Sequence, residues 1–299
     1  MSSSPFIDAH QHVWDLTRRP QPWIDPVALA AIDRSFSLDD LRPLAAAAGV
    51  TATVLVQCLH DVDETREFLA LAASDPLVAG VVGWTDLQAP SVADDLAELR
   101  AGAGGSALVG LRHLVQAEDD PNWLTRPAVH RGLAELGAAG LVFDLLVTPV
   151  QLPAAVATVA ALPQVSFVLD HVAKPPIGSG ELTGWGQGVR ALALLPNVVA
   201  KFSGLVTEAA WDHWTEDDLR PVSEVALAAF GPSRLMFASD WPVCLLAAGY
   251  AQVVEAASAL VLPSLSPAEQ VAFRSGTAAR TYRLTPAPDL RHDDPKDAF

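Results

Sequence analysis

Residues 6–15 read Phe6-Ile-Asp-Ala-His-Gln-His-Val-Trp-Asp15, and the reading of this stretch decides the fold. It begins as a short, continuous apolar run of the kind that forms a strand buried on both faces. Where the run ends, an open doubly wound sheet would ordinarily carry a glycine-rich phosphate turn. This chain has His10-Gln11-His12 instead. The open sheet is therefore the weaker layout.

Seven more apolar runs follow, at 52–57, 78–84, 108–114, 141–147, 166–171, 197–203 and 235–240. Between them lie segments with helical spacing. The first, 37–49, opens on Ser37-Leu-Asp-Asp40 and closes on Gly49; the others span 61–73, 91–102, 126–139, 148–162, 184–195 and 215–230. Eight strands alternating with helices over roughly 240 residues is the arithmetic of an α/β protein, a (β/α)8 TIM barrel. One such barrel is expected over residues 1–284, ending in a helix at 264–279 that Ser266 caps, with Glu269 in its first turn. The stretch 285–299 is expected to be a flexible tail. The longest insertion after a strand, 14–36, carries Arg18, Arg19 and Trp23 and reads either as a roof over the catalytic face or as a surface loop without a role.

Composition narrows the function. Hydrophobic residues make up 51% of the 299 positions, too many for a disordered chain. A net charge of −16 argues against nucleic-acid binding, which needs a basic face. Two cysteines, Cys58 and Cys244, form no disulfide framework and read as small core residues in a reducing compartment. The start Met1-Ser-Ser-Ser-Pro5 has no secretory pattern, and no apolar run is long enough to span a bilayer. The expectation is a cytoplasmic enzyme without nucleic-acid or membrane partners. A homo-oligomer is left open.

Chemistry in such a barrel sits at the C-terminal ends of the strands. The first strand ends in His10 and His12, two apart and so on one face, with Asp8 on the same parity. The sixth run ends in Asp170-His171 and the eighth in Ser239-Asp240-Trp241. Arg112 and His113 come from the fourth, Asp144 from the fifth, and Lys201 and Ser203 from the seventh. Trp84 and Trp241 stand close enough to strand ends to line a pocket. Each has a plainer reading: Arg112 and Lys201 could simply pair with Asp144, and the tryptophans could be packing. Convergence of several such groups on one mouth is what packing alone does not explain.

These residues resemble the amidohydrolase superfamily, and more narrowly its sugar-lactonase branch. That branch contains L-fuconolactonase-like and L-rhamnonolactonase-like enzymes and is related to 2-pyrone-4,6-dicarboxylate lactonase. The likeness is carried by 6–15, Gly110-Leu-Arg-His113, Leu169-Asp-His-Val-Ala-Lys-Pro175, Lys201-Phe-Ser-Gly-Leu205 and 235–244, in collinear order over nearly the whole chain. Two-metal members place a carboxylated lysine or a glutamate on strand four and a histidine on strand five. Here those places hold Arg112 with His113, and Asp144, so a bridged two-metal site is not expected.

The resemblance implies hydrolysis of a neutral sugar-acid lactone by water, with Asp240 as general base and His171, His10 and His12 polarising the carbonyl. Arg112, His113, Asp144, Lys201, Trp84 and Trp241 are then the expected substrate contacts. Two alternatives stay open on the cofactor: one divalent ion, zinc by preference, held by His10, His12 and Asp240 with His171, or catalysis without metal. The scarcity of strand-end arginines favours a neutral substrate over an acidic one. The competing functions are a metal-dependent, non-oxidative decarboxylase of aromatic acids and a non-catalytic sugar-binding barrel.

Overall fold

A computed structural model describes residues 5–284. Eight strands form one sheet in sequence order: β1 (Ile7–Gln11), β2 (Ala52–Val56), β3 (Val78–Gly83), β4 (Leu108–His113), β5 (Val142–Leu145), β6 (Ser166–Leu169), β7 (Val198–Phe202) and β8 (Leu235–Phe237). Every neighbouring pair is parallel. Just past β8 the ring closes: the Asp240 N–H donates to the His10 carbonyl at 2.9 Å and the His12 N–H to the Trp241 carbonyl at 2.7 Å. This is the (β/α)8 barrel expected from the sequence. The stretch 285–299 lies outside the described residues.

A helix follows each strand: Leu38–Ala47, Val62–Ser74, Val92–Ala101, Pro127–Ala138, Leu152–Ala161, Leu182–Ala193, Glu216–Phe230 and Tyr250–Val261. Local chemistry sets their ends. Ser37 and Asp40 form a capping box, and Gly49 takes φ +75° just after the first helix, as its position in the sequence predicted. The helix at Tyr250–Val261 was not legible, because its start is Gly249 rather than a capping side chain. The terminal helix is Pro267–Val271 and Thr277–Thr281 joined by a π-helical turn at Ala272–Gly276, with Ser266 accepting from the Glu269 N–H.

Apolar side chains of the strands pack outward on the helices; Leu55, Val81, Leu111, Phe143 and Phe167 belong to that layer. A smaller layer, including Val54, Val82, Val142, Val168 and Met236, is finished by Tyr282 and Leu284 of the terminal segment. Among the described residues no helix is long and apolar enough to cross a membrane.

Two strands stop earlier than their apolar runs suggest. β6 ends at Leu169 and β8 at Phe237, so Asp170, His171 and Asp240 lie on the turns beyond them. His171, Val172, Ala173 and Lys174 take φ of 51°, 48°, 60° and 49°, and Asp240 takes 58°. Four consecutive non-glycine residues in the left-handed region cost about 1–2 kcal/mol each and persist only where the surroundings impose them. Here the Trp185 indole N–H grips the Val172 carbonyl at 2.7 Å, and the Lys174 N–H closes on the His171 carbonyl at 2.9 Å.

Candidate active site

The barrel mouth brings together His10, His12, His171 and Asp240, all buried. Asp240 Oδ1 lies 3.7 Å from His10 Nε2, 3.5 Å from His12 Nε2 and 3.7 Å from His171 Nε2. His10 and His12 present their Nε2 atoms 3.1 Å apart. Sequence reading therefore placed this quartet together, although two of its members stand on turns rather than strands.

A partner behind each ring orients it, and at His12 it also fixes the tautomer. The Val56 carbonyl lies 2.7 Å from His12 Nδ1 and can only accept, so that nitrogen carries the proton. His12 Nε2 must then aim its lone pair at the Asp240 carboxylate. Ser203 Oγ sits 2.8 Å from His171 Nδ1. Gly204, at φ +66°, runs directly beneath this ring; a Cβ there would fall 2.9 Å from His171 Cγ.

Beneath the quartet lies a fully buried ionic layer. Lys201 Nζ is 2.6 Å from Asp144 Oδ2, 2.9 Å from Asp170 Oδ1 and 3.0 Å from His10 Nδ1. Arg112 Nη1 is 3.1 Å from both Asp170 Oδ2 and His10 Nε2, and Arg112 Nη2 also donates to the Gln57 carbonyl. The Tyr282 hydroxyl holds Asp144 at 2.9 Å. Asp8, of the same parity as His10 and His12, bonds neither imidazole: it accepts from the Ser239 N–H at 2.8 Å, the His10 N–H at 3.2 Å and the Tyr250 hydroxyl at 3.0 Å.

Burial sets the charge states. It drives the three imidazoles below their ordinary values, His171 to about 4, so all are neutral at pH 7. Burial alone would raise Asp240, but the surrounding imidazoles of His171, His12 and His10 outweigh it and hold the carboxyl below the ordinary range. In the ionic layer burial again raises both carboxyls. Lys201, His10 and Arg112 overcome this at Asp170 and keep it ionised, whereas Asp144 is pushed up to about 6. Asp8 is likewise raised by burial to about 6.

The donor set fits a divalent metal. Two ligands at about 2.0–2.1 Å from a tetrahedral ion stand about 3.3 Å apart. The His10, His12 and Asp240 atoms, separated by 3.1 to 3.7 Å, approach that spacing. A fixed lone pair aimed at a carboxylate calls for a cation or a proton between them. Above pH 6 the carboxylates Asp8, Asp144, Asp170 and Asp240 also outnumber the cations Arg112 and Lys201, leaving the buried centre short of positive charge. His10, Asp170 and His171 form a second converging trio.

The expected substrate contacts divide. Arg112 reaches the quartet, and Trp84 is half-buried near the end of β3. Asp144 and Lys201 are sealed below, every polar contact spent on neighbours. His113 spends both nitrogens too, Nε2 on Glu118 at 2.7 Å and Nδ1 on the Trp84 indole N–H at 3.2 Å. Trp241 is 1% exposed and packs edge-on against Phe36, which pairs with Trp14 across the 14–36 insertion. Asp144, Lys201 and His113 thus have their polar atoms engaged by neighbours, whereas the buried Trp241 indole N–H has no hydrogen-bond partner among the described residues. Asp170 and Ser203 are the residues that sequence weighting undervalued. Their adjacency to His171 and Lys201 on strand ends was the available signal.

Fold and site together define a (β/α)8 barrel with a buried polar centre at the C-terminal ends of its strands. The chain belongs to the Amidohydrolase family, whose model matches residues 7–284. It is 42% identical over 295 residues to an L-fucono-1,5-lactonase of Burkholderia multivorans, covering 95% of this chain and 98% of that one. A crystal structure of an amidohydrolase from Burkholderia multivorans with bound zinc superposes with a TM-score of 0.89 at 42% identity, over 94% of this chain and 100% of the other. The 5-carboxyvanillate decarboxylase of Sphingomonas paucimobilis shares the fold, with a TM-score of 0.65 at 15% identity over 95% of this chain and 100% of that one.

Proposed function

We propose that this protein hydrolyses a neutral sugar-acid lactone of the L-fuconolactone kind, with Asp240 as general base. The observation that carries the reading is the Asp240 carboxylate held within 3.5 to 3.7 Å of three neutral imidazoles at the barrel mouth. The activity of the 42% identical relative supports the choice of lactone.

Asp240, ionised at neutral pH, takes a proton from water as the water oxygen bonds to the lactone carbonyl carbon. The tetrahedral oxyanion gathers charge beside Arg112, whose guanidinium already faces this centre. When the ring C–O bond breaks, the proton on Asp240 passes to the departing ring oxygen, leaving the hydroxy acid. His171 and His12 flank Asp240, and the Lys201–Asp170 layer orients His10.

One zinc ion is the cofactor we assign, held by His10, His12 and Asp240 with His171 at hand. Bound there, such an ion supplies Lewis acidity at the carbonyl and acidifies water. The test is hydrolysis of a panel of neutral five- and six-membered sugar lactones, followed with a pH indicator. Ring opening of at least one at an enzymatic rate is the expected result. Inactivity on all of them overturns the reading.

A further inference from the structure

Rings from three successive loops of the catalytic face pile into one stack. His113 and Trp84 lie edge to edge, joined by the indole N–H. Trp123 covers one face of His113, with centroids 4.0 Å apart and planes 10° from parallel. His60 covers the other, at 3.9 Å and 20°, and overlaps Trp84 at 5.4 Å. Trp123 is buried, Trp84 is half-buried and His60 is exposed. This is more construction than a surface histidine needs.

The stack and one backbone amide settle the state of His60. The Leu114 N–H donates to His60 Nε2 at 2.9 Å, so the ring proton of the neutral imidazole sits on Nδ1. Nδ1 makes no hydrogen bond among the described residues. His113 has no nitrogen to spare; His60 has one donor, fixed in tautomer and partly open to solvent. The ring follows β2 by a few residues, past Gln57, whose carbonyl accepts from Arg112, and Arg112 in turn reaches His10.

We propose that His60 is a substrate-contacting specificity residue, donating its Nδ1–H to a ring hydroxyl of the lactone. The proposal rests on the lactonase reading and deepens it. Burial, with His113 and Arg112 nearby, keeps this imidazole neutral, lowered to about 4. A neutral donor suits a hydroxyl oxygen and adds no charge–charge attraction for an anion. The stack prevents the ring from turning away, so the donor is positioned before the ligand arrives.

The experiment compares wild type, His60→Phe and His60→Asn on a hydroxylated lactone and on its mono-deoxy analogues. Phenylalanine keeps a ring to stack and loses both nitrogens; asparagine sets an amide N–H near the Nδ1 position. Phe is expected to raise KM about three- to ten-fold, the size of one neutral hydrogen bond, with kcat within about two-fold. One deoxy analogue should cost wild type the same factor and cost the Phe variant nothing, and Asn should recover part of the loss. Should the Phe variant fail to fold, the Asn variant and the deoxy series on wild type carry the same comparison. An unchanged KM, or an equal loss on every lactone and deoxy analogue, overturns the inference while leaving a lactonase. Wild-type inactivity on all lactones overturns both.

Discussion

Ser203 Oγ lies 2.8 Å from His171 Nδ1, and which of the two donates determines what His171 shows to Asp240. If the serine hydroxyl donates, Nε2 carries the proton and can donate toward the carboxylate. If Nδ1–H donates to the serine, Nε2 offers a lone pair suited to a cation. A hydroxyl can do either, so Ser203 accommodates both states without moving the ring.

Ser203→Ala should keep the fold and lose this orientation. Partners of this kind cost about 10- to 100-fold in activity or metal affinity when removed. The check is kcat alongside a thermal melt. A Tm within a few degrees of wild type with kcat at wild-type level would show that Gly204 beneath the ring suffices.

Asp240→Asn preserves shape and removes the base. The expected fall in kcat is on the order of 10²–10⁴. Steady-state kinetics on a folded variant decide it, and a loss of only a few-fold would remove Asp240 from the role proposed here.

Chelation tests the metal. One divalent ion per chain should be found by elemental analysis of the purified protein. Its removal should abolish turnover and lower Tm, because an ion that binds only the folded state stabilises it by mass action. Zinc should restore both. Full activity in protein shown to be metal-free would assign the chemistry to the side chains alone.

Ala173→Gly relaxes one residue of the left-handed turn that carries His171. Glycine escapes a steric penalty of about 1 kcal/mol at φ 60°, so Tm should hold or rise. The looser turn should lower kcat. Melting and kinetics measured together distinguish this from simple damage, in which both would fall.

His60 makes a prediction about pH. Its pKa is lowered from 6.5 to about 4 in the fold, so between those values the unfolded chain binds more protons. The stabilisation linked to it is complete above 6.5 and lost as pH falls through about 4. Urea unfolding of wild type and His60→Phe at pH 7.5 and 4.5 should therefore show wild type losing relative stability at the lower pH. A gap independent of pH would mean an ordinary, solvated imidazole.

Much of this was legible in the sequence because barrel strands buried on both faces must be apolar, so polar residues at their ends stand out. His10, His12, His171, Asp240 and Arg112 were found that way. Direction was harder to read. His113 and Trp241 looked like pocket lining, yet His113 is saturated inside a ring stack and Trp241 is packed under Phe36. Asp170 was visible as a carboxylate but not as the anchor of Arg112 and Lys201, since that pairing spans three strands. His60 gave no periodic or motif signal. Its role depends on which nitrogen a distant backbone amide happens to occupy.

Closure of the barrel joins the first strand to the last, and so joins His10 and His12 to Asp240 across about 230 residues of chain. A ribosome working at roughly 5–20 residues per second needs ~10–45 s to cover that distance. Throughout that interval the nascent chain holds two imidazoles with neither their carboxylate nor the strand that shields them. The centre therefore cannot exist before Asp240 has been made, and no fragment lacking β8 and the turn after it can assemble it.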